Sequence, residues 1–384
     1  MRATTLAAAA ALLGCSSASA PAPAVQGDDA GSDGAGSLRF ADMPPVPDVP
    51  VITGDAPTDA KVTLGSQIFY DVRLSGTKTT NCNSCHLTQT VFQDNLIAAT
   101  PDRTKPNQSP KLPRNTLSFM NLVYAPVSRW DGSLGAPVLG TPHAPATDLL
   151  DVLPFPFAEP NMNLGPDVPT AQATLKQRLT VDAPGYVKAF QDAYAEDITQ
   201  LDDVSVWHLV GQALRAFLGR YAISRDSAFD RWNAGDDAAM DASAQNGLMI
   251  FRGVGRCFVC HGGPFFTDFG FHNVSSSPPR ADGTRKDEGR YYLTGMESDR
   301  GKFLTPTLRG AYDTDPYFHD GSASSLQSVL AHLSSTDVMA DPNHDPIFDT
   351  PLSLGAQDTS DLIAFIKALR GAPAPQVVAP TTFP

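Results

Sequence analysis

The chain of 384 residues carries 28 Lys and Arg against 41 Asp and Glu, a net charge of −13. That excess of negative charge excludes nucleic acid and anionic membranes as partners and leaves a neutral or basic protein as a compatible one. The length suffices for two domains, each with its own core.

The chain opens with "MRATTLAAAAALLGCSSASA": one positive charge, an apolar run too short to span a bilayer, then small residues, the layout of a secretory signal. "LLGC" resembles a bacterial lipobox, which implies a lipid anchor at Cys15 and a periplasmic protein tethered to a membrane; cleavage after Ala20 would release a soluble secreted one instead. Residues 16–50 are rich in Ala, Ser, Gly, Asp and Pro and read as a flexible tether, with folded structure starting near Val51. No later stretch is apolar enough to cross a membrane.

Thr58 or Asp59 can cap a short helix in which Val62, Leu64, Ile68 and Phe69 lead to "NCNSCH". A Pro-rich region, 101–169, forbids long helices and reads as a functional surface. The strongest helical pattern follows, with Leu201, Val204, Trp207, Val210, Leu214, Phe217, Leu218 and Tyr221 spaced by three and four. "SRDSAFDRWNAGDD" reads as a connection between domains. A second helix, with Ala244, Leu248, Ile250 and Phe251, then runs into "RCFVCH", repeating the grammar of the first. The final helix is expected to start at Asp358 or Ser360 and to stop at Gly371. Strand-like alternation is scarce, so the chain reads as mainly α with long irregular loops.

Apart from Cys15, every cysteine belongs to one of the two CxxCH motifs: Cys82, Cys85 and His86, then Cys257, Cys260 and His261. Two cysteines three apart can each add to a vinyl group of one haem, and the adjacent His then reaches the iron, which makes CxxCH the mark of covalent c-type haem attachment. A structural zinc site would set its two Cys pairs about 15 to 20 residues apart, and a thioredoxin-like redox site needs neither the His nor a second copy. Two covalently bound haem c groups are therefore expected. The corresponding division is a signal region 1–20, a linker 21–50, two cytochrome c-like domains at 51–226 and 227–374, and a tail 375–384.

The strings "CFVCHGGPFFTDFGFHN", "TPTLRGAYDTDPYFHDGS" and "DLIAFIKALRG", with "RNTLSFMNLVYAPVSRWDGS" in the N-terminal half, closely resemble the bacterial di-haem cytochrome c peroxidase and MauG-like family over roughly residues 55 to 371. The resemblance implies reduction of H2O2 at the N-terminal haem, with electrons entering through the C-terminal haem from a reduced c-type cytochrome or a cupredoxin-like donor, and a homodimer. It also implies that Trp130 is the tryptophan between the haems, that Asn115, Thr314 and Pro316 bind a bridging Ca²⁺, and that His319 and His272 occupy family positions, with His319 near the haem crevice.

Three departures from the family pattern bear on activity. Asn161 stands before Met162 where the family has its catalytic Glu, leaving Glu159 as the nearest carboxylate able to shuttle a proton. No His lies between His86 and His143 to cap the N-terminal haem, which is expected to be open or weakly capped. At the C-terminal haem the distal ligand position falls on Leu333, with His332 as the adjacent candidate and Met339 as a looser one. The competing readings are a MauG-like oxidase acting on a protein or organic substrate and a non-catalytic di-haem electron carrier.

Overall fold

The computed structural model describes residues 38–51, 55–93, 114–134, 144–145, 152–160, 162–371 and 377–384. The leader, Cys15, the first part of the expected tether, much of the Pro-rich region, His143 and Asn161 lie outside the described residues. The described chain is mainly helical, and its strands form two antiparallel pairs of two-residue arms, Ser133–Leu134 with Ala144–Pro145 and Phe271–His272 with Phe303–Leu304.

Two helix pairs organise two hydrophobic cores. In the first, helix Asp59–Tyr70 starts where Thr58 accepts a hydrogen bond from the Lys61 amide, and it crosses helix Asp203–Tyr221, capped by Asp202. Leu64, Ile68 and Phe69 meet Val210, Leu214 and Phe217. The crossing is close because position 65 is glycine: a Cβ there would collide with the Ala213 carbonyl oxygen. Helices Val168–Gln177 and Gly185–Tyr194 complete this core with Leu175, Tyr186 and Phe190, too few apolar positions to stand out in the sequence.

The second core repeats the device. Helix Ala242–Arg252 crosses helix Ala356–Ala368 at Gly247, where a Cβ would strike the Asp361 carbonyl oxygen, and Leu248 and Phe251 pack with Leu362 and Phe365. The last helix starts before Asp358 because that side chain accepts from the Gly355 amide at 2.8 Å and so sits at the third helical position, and it ends at Ala368 rather than at Gly371.

Two expectations need correction. The stretch read as a connection contains helix Ala228–Asn233, closed by a Ser227–Asp230 capping box, with Phe229 and Trp232 in the second core and Asp230 paired to Arg309 at 2.7 Å. The tether does not extend to residue 50: Met43 is fully buried in the second core, and Asn233 accepts from the Phe40 amide at 2.7 Å and donates to the Met43 carbonyl at 3.0 Å. The same strap then reaches the first core, where Tyr124 donates to the Pro47 carbonyl and Arg215 to that of Pro50. Its polar composition hid the two or three apolar anchors that dock it. The tail also returns to the first core, with Val377 packed on it and Arg73 donating to the Pro384 carbonyl at 2.8 Å.

Met43→Ala is expected to destabilise the protein by about 2–5 kcal/mol, as a buried methionine in a core would, measured as a lowered midpoint in guanidinium unfolding; an unchanged midpoint would return residues 38–50 to the status of a tether.

Candidate active site

The first CxxCH leaves helix Asp59–Tyr70 through a short turn. Asn81 donates to the Tyr70 carbonyl at 2.6 Å and pairs with Ser84, which fixes the 3₁₀ turn Cys82–Ser84, and the His86 amide then bonds the Cys82 carbonyl at 2.9 Å. The second motif closes in the same way: turn Cys257–Val259, with the His261 amide on the Cys257 carbonyl at 2.9 Å. Each His donates its Nδ1–H to a backbone carbonyl, His86 to Phe92 at 3.1 Å and His261 to Phe266 at 2.9 Å, an arrangement that leaves Nε2 to bind a metal.

Each motif lines its own cavity. One, of about 210 Å³, is walled by Cys82, Cys85 and His86; the other, of about 290 Å³ and largely apolar, by Cys257, Cys260 and His261. Because the Cys pairs face different cavities, they cannot complete one zinc tetrahedron. Burial pushes the thiols of Cys82 and Cys257 up to about 12, so both are neutral sulfurs in an apolar wall. Burial also pushes His86 down to about 4 against the opposing hydrogen bond to Phe92, and lowers His261, so both rings are neutral and suited to ligate iron. The donor set therefore fits one covalently held haem in each cavity.

Trp130 lines both cavities. Its indole N–H donates to the Asn115 carbonyl at 2.9 Å, and its own carbonyl accepts from the Leu304 amide at 2.8 Å. The residues flanking these two anchors are joined by a buried charge network: Arg114 lies 2.8 Å from Asp131 and grips Asp287 through two bonds of 2.7 and 2.9 Å. Burial alone would raise the Asp287 carboxyl, but Arg114 holds it below the usual carboxylate range. Neither Arg114 nor Asp287 stands out in the sequence, because they are 173 residues apart and neither lies in a periodic segment.

Glu159 reaches the first cavity. Helical turn Phe155–Ala158 delivers it buried into the wall that carries His86, where it pairs with Arg129 at 2.6 Å. Arg129 was not singled out by sequence, although it precedes Trp130. Asn115, Thr314 and Pro316 line the second cavity together, and the Asn115 amide meets the Pro316 carbonyl at 2.5 Å, while the Thr314 hydroxyl turns to Ala311.

The other histidines divide by their partners. His319 is buried, stacks on Phe303 at 3.8 Å and lies 3.9 Å from Asp287; burial, opposed by Asp287, pushes it down to about 4. His272, in the wall of the second cavity, is held between Asp268 at 2.8 Å and Asp345 at 2.5 Å, and the Asp268 hydrogen bond leads the effects that push it up to about 11. His332, the expected distal candidate, is turned to the backbone of a neighbouring segment. Its Nε2–H donates to the Val274 carbonyl at 2.8 Å, and the cavity wall on helix Leu326–Leu333 is made by Val329, Leu330 and Leu333. Met339 does not line it either.

These two cavities sharing a tryptophan can be set beside known proteins. Residues 59–238 match the family model described as di-haem cytochrome c peroxidase. The cytochrome-c peroxidase IdrP1 of Denitromonas iodatirespirans is 32% identical over 369 residues, covering 88% of this chain and 89% of that protein. The chain belongs to the di-haem cytochrome c peroxidase family. It is therefore an oxidoreductase of the cytochrome c peroxidase type. Other members of the family are similar over most of their length: the methylamine utilization protein MauG of Methylorubrum extorquens is 29% identical, with 83% of this chain and 80% of that one covered. Among solved structures, a MauG-like protein associated with microbial copper homeostasis superposes with a TM-score of 0.67 at 26% identity, covering 86% of this chain and 95% of its own.

Within this family member the Arg114 network is expected to be structural first. Arg114→Met removes the cation shared by two buried carboxylates and is expected to cost about 3–5 kcal/mol, read by thermal or denaturant unfolding; a loss below about 1 kcal/mol would mean that the remaining hydrogen bonds of Asp131 and Asp287 suffice.

Proposed function

We propose that the protein is an exported di-haem peroxidase that reduces H2O2 to water in the cavity of His86, with electrons entering through the cavity of His261. The observation that carries this reading is Trp130, a wall common to both CxxCH cavities. Cys82 with Cys85, and Cys257 with Cys260, would form the thioether links, and His86 and His261 would ligate iron through Nε2. The haems, when bound, supply the reversible one-electron iron chemistry that the polypeptide lacks. Trp130 bridges the two sites as an electron relay. Glu159 is the acid–base group of the first cavity: it is buried there, and a carboxylate can move a proton between the two oxygens of a peroxide where an amide cannot. Reduction to two waters takes two electrons and two protons per H2O2.

The second motif suits electron entry. Val254 and Val259, flanking and inside it, are exposed apolar residues, as a docking patch for a small redox protein needs. A reduced c-type cytochrome or cupredoxin-like protein is the proposed donor. Asn115, Thr314 and Pro316 form the proposed Ca²⁺ site, with Asn115 brought to the Pro316 carbonyl. The proposed location is the periplasm, with a lipid at Cys15, and no helix among the described residues is long and apolar enough to cross a membrane. The proposed haem domains span 51–226 and 227–374, preceded by the packed strap. A MauG-like oxidation of a protein or organic substrate is the second reading, favoured by Leu333 in the cavity wall where His332 is turned away.

Holoprotein is expected to contain two covalently bound haems per chain by the pyridine haemochrome assay, and one after Cys257→Ala with Cys260→Ala. Mixed with a reduced c-type cytochrome and H2O2, it is expected to oxidise the donor, with Glu159→Gln slowing this by about 10²–10⁴-fold and Trp130→Phe also slowing it. Two intact haems without peroxide-dependent donor oxidation would overturn the peroxidase reading and leave the MauG-like oxidase or the di-haem electron carrier.

A further inference from the structure

His261 is oriented by a carbonyl, and the loop that carries this carbonyl is held by a short run of chain about 45 residues further on. The Phe266 carbonyl accepts the His261 Nδ1–H at 2.9 Å and also the Leu308 amide at 3.3 Å. The neighbours of Leu308 bind the two preceding carbonyls: the Thr307 hydroxyl donates to that of Phe265 at 2.6 Å, and the Arg309 Nε–H donates to that of Pro264. Each carbonyl of Pro264–Phe266 is thus met by a donor from Thr307–Arg309. The loop needs such a hold, because Phe266 has φ 52, a left-handed conformation that a residue with a side chain keeps only where its surroundings impose it.

Arg309 is fully buried, and beyond its bond to Pro264 its terminal nitrogens grip the two oxygens of Asp230 at 2.8 and 2.7 Å. Asp230 lies on helix Ala228–Asn233, which also sets Phe229 against the buried Phe266 ring, with centroids 5.3 Å apart. One short helix therefore supports the loop twice, through a ring and through an arginine. A buried ion pair adds little to stability compared with apolar packing, so the pair calls for another reason. A neutral donor can serve a loop carbonyl: at the first motif the Ser118 hydroxyl donates to the carbonyl of Val91, the residue before Phe92. What the guanidinium adds is a planar fork of fixed angles that ties a carbonyl and a carboxylate from two segments into one rigid unit. The direction of the Phe266 carbonyl decides how strongly it draws on the Nδ1–H, and so how strongly Nε2 donates electrons to a bound metal. A stronger donor favours ferric over ferrous iron and lowers the potential.

We propose that Arg309 is a positioning residue for His261: through the loop Pro264–Phe266 it fixes the hydrogen bond at Nδ1 and thereby holds down the reduction potential of the haem bound at the second motif. The assignment rests on the reading above in which His261 ligates iron. Arg309 exchanges neither protons nor electrons. Because it also lines the second cavity, its charge and its grip both act on that potential, with opposite signs. A positive charge nearby favours the ferrous form and raises the potential, whereas the grip lowers it.

The test titrates wild type, Arg309→Lys and Thr307→Val by spectroelectrochemistry, as holoproteins matched for haem content. The second haem is assigned by the loss of its signal after Cys257→Ala with Cys260→Ala. Arg309→Lys keeps the charge and loses the fork, and the potential of the second haem is expected to rise by a tenfold shift in its reduction equilibrium, about 59 mV for one electron. The haem at His86 is expected to stay unmoved. Thr307→Val changes no charge and removes the hydroxyl on the Phe265 carbonyl; it is expected to move the same potential in the same direction by less, and it carries the test should Arg309→Lys fail to take up haem. An unmoved second potential, or an equal shift of both haems, would overturn the proposal and leave Arg309 and Asp230 as a structural pair whose loss shows only in a lowered unfolding midpoint. Wild-type protein that binds no haem at Cys257 and Cys260 would instead remove the reading of His261, and the assignment with it.

Discussion

The grip of Arg114 on Asp131 and Asp287 is the constraint on which the site's geometry depends. All three side chains are buried, and none of the charges can be left alone without a penalty of several kcal/mol. The guanidinium fork answers both carboxylates at once, which Lys, a single point charge, cannot do with the same geometry. Because Arg114 adjoins Asn115 and Asp131 adjoins Trp130, the network fixes both ends of the hydrogen bond that holds the indole. Asp287 comes from the distant second half of the chain, so one interaction both orients Trp130 and ties the segment that carries it to the walls of the second cavity.

Around that centre the protein uses one local design twice. A capped helix crosses a second helix at a glycine, turns, and presents CxxCH with the His ring held by a backbone carbonyl. The surroundings then make the two copies different. The first cavity receives a buried carboxylate and a guanidinium, Glu159 and Arg129, whereas the second has an apolar helix face of Val329, Leu330 and Leu333, with the charged His272 held by Asp268 and Asp345 in its wall. Proton chemistry belongs where an acid–base group and a counter-charge share an enclosed space. On the proposed reading, electron passage asks only for a shielded metal and a short path onward, for which an apolar wall and Trp130 are suited. The proposed division of labour between the halves rests on what each cavity adds to a shared CxxCH motif.

The strap 38–50 links the two cores, and the tail 377–384 packs on the first. Phe40 and Met43 anchor the strap in the second core, and Tyr124, Arg215 and Arg225 hold its later part beside the first. The strap thus bonds to both cores.

The sequence by itself determined what depends on neighbours three or four residues apart. The CxxCH motifs, their helices, the caps at Thr58 and the apolar face ending in Tyr221 were legible because helical spacing alone brings those groups together. Even there a single step mattered: neighbouring residues on a helix differ by about 100°, and that rotation puts Leu333 on the cavity and sends His332 to a carbonyl instead. The resemblance picked out Trp130, Asn115 and Pro316, and the departure from its pattern picked out Glu159, but neither reached the charged residues that hold them. Arg129, Arg114 and Asp287 sit in irregular chain, where no periodicity predicts direction, and Met43 lay in a stretch whose composition argued against packing. Only the tertiary structure could decide these, because a buried charge or a lone apolar anchor is defined by the residue it meets across the fold, and that meeting leaves no mark in the local sequence.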